Sequence, residues 1–305
     1  MDSFILTVCC ITYNHEKYIR KTLEGFINQK TSYKFKVIVH DDASTDNTRK
    51  IIEEFQYKYP NIIFPVFQDE NKYSQHIDFV GQYIYPNLEG KYVAYCEGDD
   101  YWSDENKIQM QVDFLERNLE YVMCVHKVLM VNTENDSLNK FLCYSNEDHD
   151  CTVEEIVKYN PYHISSFVVR RKVLEDMPKE FGCFEIGDYS KIMYFVLNGK
   201  IRYIDKQMSC YRVGTPNSWT QCTISSKYNM IRFKENLIDL LSYVNSYSLF
   251  KYNNIFLDVI YRCKLDLMLI DKKRLLSIKN IPIIIYFSRF WIKKYFDKLK
   301  AFVIK

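Results

Sequence analysis

Residues 94–102, AYCEGDDYW, place Glu97, Asp99 and Asp100 within one four-residue window directly after an apolar run. A second acidic pair, Asp41 and Asp42, ends the apolar run of VIVHDDASTDNT. Carboxylates this close repel one another. Water compensates such a cluster poorly and a divalent cation does so well. The pattern points to acids that share a metal ion and a polar ligand. A later acid, Asp188 in EIGDYSKIM, stands where a helix N-cap belongs.

The elements around these acids must bring them to one place. FILTVCCITY and FKVIVHDD are apolar runs that read as strands buried on both faces. Between them EKYIRKTLEGFINQK sets Ile19, Leu23, Phe26 and Ile27 at helical spacing. STDNTRKIIEEFQYKY opens with capping residues, Asp46 among them, and carries Ile51, Ile52 and Phe55 on one face. NIIFPVF and KYVAYCE read as further strands, and SDENKIQMQVDFLERN as a capped helix. The β-α-β-α-β alternation predicts an α/β fold, a mostly parallel sheet flanked by helices. In such sheets ligands bind beyond the carboxyl ends of the strands, which is where both acidic groups fall. From about residue 121 the pattern is less regular. YVMCVHKVLMVN reads as a strand, VEEIVKY as a short helix, and IRYIDKQMSCYRV as an edge strand or hairpin.

Composition narrows the classes. A chain of 305 residues, 47% hydrophobic, can bury a large core. Of its ten cysteines, Cys9, Cys10, Cys96, Cys124 and Cys210 lie in or beside apolar runs, and no C-x-x-C pair occurs. They read as buried thiols in a reducing, cytoplasmic compartment. No histidine joins a cysteine pair at ligand spacing, which argues against a zinc cluster. The start MDSFILTVCCITYNH lacks a basic segment before its apolar run, so it does not read as a signal peptide. No window reaches the ~20 apolar residues that span a bilayer.

Taken together, VCCITYNHEKYI, HDDASTDNT, CEGDDYW, the late acid of EIGDYSKIM, and YRV followed by a Trp resemble the family 2 glycosyltransferases with the GT-A fold. The resemblance covers roughly residues 4–220. Members with an E-G-D-D-Y-W motif often build envelope polysaccharides. The resemblance implies a metal-dependent, inverting hexosyl- or related transferase. It would take a nucleotide-sugar donor, with UDP expected, and a glycan or lipid-linked acceptor, and no nucleic acid. Thr12 and Tyr13 would line the base pocket, and Asp42 would accept from the base. Asp99 would bind Mn²⁺ or Mg²⁺. Glu97, standing where the family usually has Asp, would lie nearer the ribose, and Asp100 would orient the sugar. Asp188 would be the catalytic base, with Glu185 as its rival. Arg212 and Trp219 would cover the diphosphate. His163 faces the acceptor or is a buried structural histidine.

The implied layout is a GT-A domain over residues 1–225, its nucleotide-binding half about 1–120 and its acceptor-binding half about 121–225. A helical C-terminal region over 226–305 follows. Residues 271–305 hold ten lysines and arginines against two aspartates, in a chain of net charge +2. Within residues 281–305, Phe287, Trp291, Tyr295 and Leu299 recur every fourth position, and Arg289, Lys293, Asp297 and Lys300 occupy another face. A cationic amphipathic helix of this kind reads as a peripheral membrane contact at the inner face of the cell membrane, or as a helix packed on the domain. Two other functions stay open. One is a catalytically inactive sugar-nucleotide-binding protein. The other is a nucleotidyltransferase of related fold, although ITYNHEKYI lacks the glycines of a phosphate loop.

Overall fold

The computed structural model describes residues 3–271, apart from 76, 79, 134–137, 144, 216–220, 222, 224 and 225. Trp219 and residues 281–305 lie outside the described residues. The chain divides into two compact units, one of Met1–Cys183 with Gly187–Ser218 and one of Phe184–Ile186 with Trp219–Lys305.

The first unit is an α/β fold on one mixed sheet. Three parallel strands come first: β1 (Leu6–Thr12), β2 (Phe35–Asp41) and β3 (Ile63–Phe67). Helix α1 (Ile19–Ile27) joins β1 to β2, and α2 (Thr48–Lys58) joins β2 to β3. Strand β4 (Tyr92–Tyr95) returns to pair in parallel with β1 on its other side. All seven residues of β2 are buried, its apolar centre Val37–Val39 together with Lys36, His40 and Asp41. One face of β1, Leu6, Val8 and Cys10, packs on Ile19, Leu23 and Phe26 of α1. The same core takes Ile52 and Phe55 from α2, and Ile108, Val112 and Leu115 from α3 (Lys107–Arg117). Each such side chain taken fully out of water contributes about 1.5–3 kcal/mol.

Beyond β4 the sheet turns mixed. The remaining strands are β5 (Tyr101–Trp102), β6 (Tyr121–Asn132), β7 (Lys140–Phe141), β8 (His149–Asp150), β9 (Val168–Arg170) and β10 (Lys200–Val213). The order along the sheet is β3-β2-β1-β4-β9-β6-β10-β5, with β7 on β6 and β8 on β10. Strand β9 is antiparallel to both β4 and β6. Strand β10, which its alternation marks as an edge or hairpin, instead runs parallel to β6 with β5 on its far side. Irregularities between Ile204 and Ser209 reset its register against β6 part-way along. Helices α4 (Val153–Tyr159), α5 (Arg171–Glu175) and α6 (Gly187–Asn198) complete the unit.

In the second unit α7 (Lys227–Tyr247) and α8 (Asn253–Ile270) are linked by the Lys234–Asp266 ion pair at 2.6 Å. Ser226 caps α7 by accepting from the Asn229 N–H at 3.1 Å. No described helix is long and apolar enough to cross a membrane. The nine described cysteines are free, and eight are buried.

Candidate active site

Strand β1 organises the site because the two acidic loops flank its carboxyl end. The Asp42 N–H donates to the Thr12 carbonyl at 3.0 Å, and the Gly98 N–H donates to the Ile11 carbonyl at 2.8 Å. Both loops are thus anchored on the last residues of one strand. Their parent strands lie one to either side of β1, and so about 10 Å apart. The approach at residue 98 admits only glycine. A Cβ there would lie 2.5 Å from Thr12 Oγ1 and 2.9 Å from His15 Nδ1.

Each acid of the first loop has a fixed task. Asp42 is 2% exposed and accepts from the backbone N–H groups of Lys72 at 2.7 Å and Tyr73 at 3.0 Å. It therefore pins the chain after β3 against the β1–β2 edge, while each oxygen keeps a lone pair for a ligand. Asp41 is buried and accepts from the Ser44 hydroxyl, and burial raises its carboxyl. Asp46 accepts from the Thr48 N–H at 2.9 Å and the Glu16 N–H at 3.0 Å, so it ties the chain ahead of α1 to the turn before α2, whose N-cap is the next residue, Asn47. At the end of β1 Thr12 is buried with its hydroxyl 3.2 Å from His15 Nδ1, and the next residue, Tyr13, is exposed.

The second loop shows what compensates three neighbouring carboxylates. Asp100 is fully buried, and its Oδ1 accepts from the Arg212 N–H at 2.8 Å. The Arg212 guanidinium donates to the Asp99 carbonyl and lies 4.5 Å from the Tyr101 ring and 5.1 Å from the Tyr18 ring. Thr215 Oγ1 donates to Asp99 Oδ2 at 3.3 Å. Glu97 faces the solvent of the open cleft, yet the surrounding protein and the Asp99 and Asp188 carboxylates push it up to about 8. Burial, then Asp99 and Glu97, raise the Asp100 carboxyl well above the usual carboxylate range, against the pull of Arg212.

The donor set suits a hard or borderline divalent cation. Glu97, Asp100 and His163 each offer a ligand atom, all within 4.8 Å of one another. Asp100 Oδ2 is buried with no hydrogen-bond partner and lies 3.7 Å from His163 Nε2. An orphaned carboxylate oxygen beside an imidazole is a place for a cation such as Mn²⁺. His163 itself stacks on Tyr211 with ring centroids 4.1 Å apart, and burial drives its pKa down to about 3, so the ring is neutral.

Asp188 opens α6 and lies near enough to Glu97 to raise it. Its Oδ1 accepts from the Tyr189 N–H at 2.7 Å, and burial raises its own carboxyl. Lys191, one turn further along α6, answers Asp188 and Glu97 with a positive charge, while burial lowers its pKa. Sequence reasoning passed over Lys191, although the D-x-x-K spacing puts both side chains on one helix face. It also passed over His15, which bridges Thr12 and the acidic loops. The rival acid Glu185 is ion-paired with Arg232 within the second unit.

A sheet of this order, with paired acidic loops at the end of its first strand, defines the GT-A class of nucleotide-sugar-dependent folds. The chain belongs to glycosyl transferase family 2, whose sequence model matches residues 7–177. An uncharacterized Mycobacterium tuberculosis protein is 33% identical over 215 residues, 70% of this chain and 60% of its own length. The chain thus spans under two thirds of that relative. The Bacillus subtilis minor teichoic acid biosynthesis protein GgaB is 24% identical over 241 residues, 75% of this chain and 26% of its own. Among solved structures, S. aureus TarS residues 1–349 in complex with UDP-GlcNAc superposes with a TM-score of 0.61 at 18% identity, over 92% of this chain and 78% of its own.

Proposed function

We propose that the chain is an inverting, divalent-metal-dependent glycosyltransferase. It moves a sugar from a nucleotide diphosphate sugar, with UDP as the nucleotide, to a hydroxyl of a glycan or lipid-linked acceptor in surface-polysaccharide synthesis. The observation that carries this reading is the convergence of the Asp42 and Glu97–Asp100 loops on the end of β1, with Asp188 near enough for its charge to act on Glu97. TarS, a protein of the same fold, has been seen with UDP-GlcNAc, and GgaB is a minor teichoic acid biosynthesis protein. Both support the donor and acceptor classes assigned here.

In this reading Thr12, Tyr13 and Asp42 receive the nucleoside, since a carboxylate accepts the imide N–H of a uracil. Asp99 would hold the cation by its place in the family motif, although the ligand atoms that the fold gathers are those of its neighbours Glu97 and Asp100 with His163. A bound divalent cation supplies positive charge to the departing nucleotide diphosphate. Glu97 and Asp100 orient the ribose and the sugar. Arg212 lies against the same loop and meets the diphosphate with its fork of donors. Asp188 takes the proton of the acceptor hydroxyl as that oxygen attacks the anomeric carbon from the face opposite the leaving group. Its raised pKa makes it a stronger base than an ordinary carboxylate. Lys191 holds Asp188 and Glu97 in place before donor arrives. One displacement with one base inverts the anomeric centre.

A thermal-shift screen of UDP-, dTDP- and GDP-sugars with and without Mn²⁺ tests the reading. A ligand at about 100 times its Kd adds about 2.7 kcal/mol to folding stability. A UDP-sugar is expected to raise Tm, and more so with Mn²⁺. A protein whose Tm moves with none of these donors under either condition is not this enzyme.

A further inference from the structure

Away from the cleft, His149 of β8, Cys151 and Glu155 of α4 bring their ligand atoms within 4.8 Å of one another. The hydrogen bonds around them assign the protons. The Ser145 hydroxyl donates to the Glu147 carbonyl at 2.9 Å, so it has no proton for His149. His149 Nδ1 lies 3.2 Å from both of those oxygens and therefore carries the N–H. That leaves Nε2 as the ring atom turned toward the carboxylate, with the Tyr162 hydroxyl oxygen also 3.2 Å from it. Nε2 lies 3.2 Å from Glu155 Oε1, which is itself an acceptor already taking the Tyr162 proton at 2.6 Å. An imidazole nitrogen, a carboxylate oxygen and a buried thiol thus converge on one point, a set that a single cation can join.

We propose that His149 Nε2, Cys151 Sγ and a Glu155 carboxylate oxygen form a second metal site, selective for a thiophilic divalent ion of the Zn²⁺ class. A tetrahedral ion with bonds of about 2.0–2.3 Å spaces its ligands by about 3.3–3.7 Å, a small contraction of the observed cluster. Sulfur and imidazole select this class over the Mg²⁺ and Mn²⁺ suited to the oxygen-rich cleft. The surrounding contacts are those that metal ligands need. The Glu147 carbonyl fixes the histidine tautomer. Tyr162, 2% exposed, steers the glutamate. The Thr152–Glu155 capping box holds that carboxylate at the start of α4. The His149 and Glu155 side chains are about a quarter exposed, which gives an ion a way in from solvent and a water the fourth position. A search for cysteine pairs misses the site, because it uses one cysteine, one histidine and one glutamate.

Co²⁺ titration of the EDTA-treated full chain tests the proposal, with no reference to glycosyl transfer. The expected result is a near-ultraviolet thiolate-to-cobalt charge-transfer band with visible bands of tetrahedral Co²⁺, both bleached by one equivalent of Zn²⁺. Cys151→Ser removes the charge-transfer band, and His149→Gln weakens Zn²⁺ binding by about 10–100-fold in a chelator competition. Absence of the band from the wild-type chain overturns the site, whatever the variants do. So does a band that survives Cys151→Ser, which would place the ion on other thiols.

Discussion

Glu97, Asp100 and His163 meet at the end of β1, and His149, Cys151 and Glu155 meet where β8 runs into α4, each group with its ligand atoms inside 4.8 Å. The cleft is built from residues far apart in the chain, and its counter-charges come from further still: Arg212 on β10 and Lys191 on α6. The β8–α4 cluster is local. Seven consecutive residues supply all three ligands, and the flanking loop supplies the histidine's acceptor. The difference teaches that repelled charge and paired charge have separate uses. The cleft keeps carboxylates in excess, raised by burial and by one another, ready for a cationic or hydrogen-donating ligand. The local cluster has little excess charge and holds lone pairs in a fixed geometry.

If this contrast is right, damage to one place spares the other. The largest effect is expected from Asp188→Asn, which removes the proposed base while keeping the side chain's shape. Turnover should fall by about 10²–10⁴-fold in a glycosyl-transfer assay, with the donor-induced Tm shift retained. Wild-type kcat should rise as pH rises through the elevated pKa of Asp188, since the base must be ionised, and the variant should lose that limb. Its cobalt spectrum should match wild type; loss of both signals together would merge the two places into one.

A smaller effect is expected from Gly98→Ala. The new Cβ meets Thr12 Oγ1 at 2.5 Å, so the two acidic loops must part. Urea unfolding should show a loss of about 1–3 kcal/mol, and the donor-induced Tm shift should shrink. An unchanged stability would mean that the loops are not locked together at β1.

The mildest expected change is a gain. Lys107 is fully buried, and its Nζ has no hydrogen-bond partner, only the Trp102 ring with its centroid at 4.1 Å. Burial lowers its pKa from 10.5 to about 7. Between these values the unfolded chain binds more protons than the folded one, so stability rises with pH across that window. The cost is fully present below about pH 7. Lys107→Met should stabilise the chain at neutral pH by about 1–3 kcal/mol, and the gain should shrink by pH 9.5 in urea titrations. A gain that ignores pH would show that packing, not charge, is responsible.

The regular half of the fold was legible because its signals are local. β1 and β2 are rich in β-branched and apolar residues, and α1 and α2 carry a 3.6-residue apolar rhythm on one face. The acids could be assigned to one sheet edge because each group directly follows such a strand. What escaped depends on contacts between distant segments. Strand β10 is placed by pairings with β5, β6 and β8 that its own irregular pattern does not announce. His163 reaches Asp100 only through the fold. The β8–α4 cluster was overlooked for a different reason, since two-residue strands carry no periodicity and its ligand types match no cysteine-pair spacing.

Arg212 contacts Asp99 and Asp100 across 112–113 positions of sequence. A ribosome therefore releases the acidic loops well before their guanidinium exists. During that interval the first two strands and their helices can collapse, since their core draws on neighbouring segments, but the loops at their tips stay mutually repelled. Maturation of the cleft is thus a late, long-range event that waits on the arrival of the strand carrying Arg212.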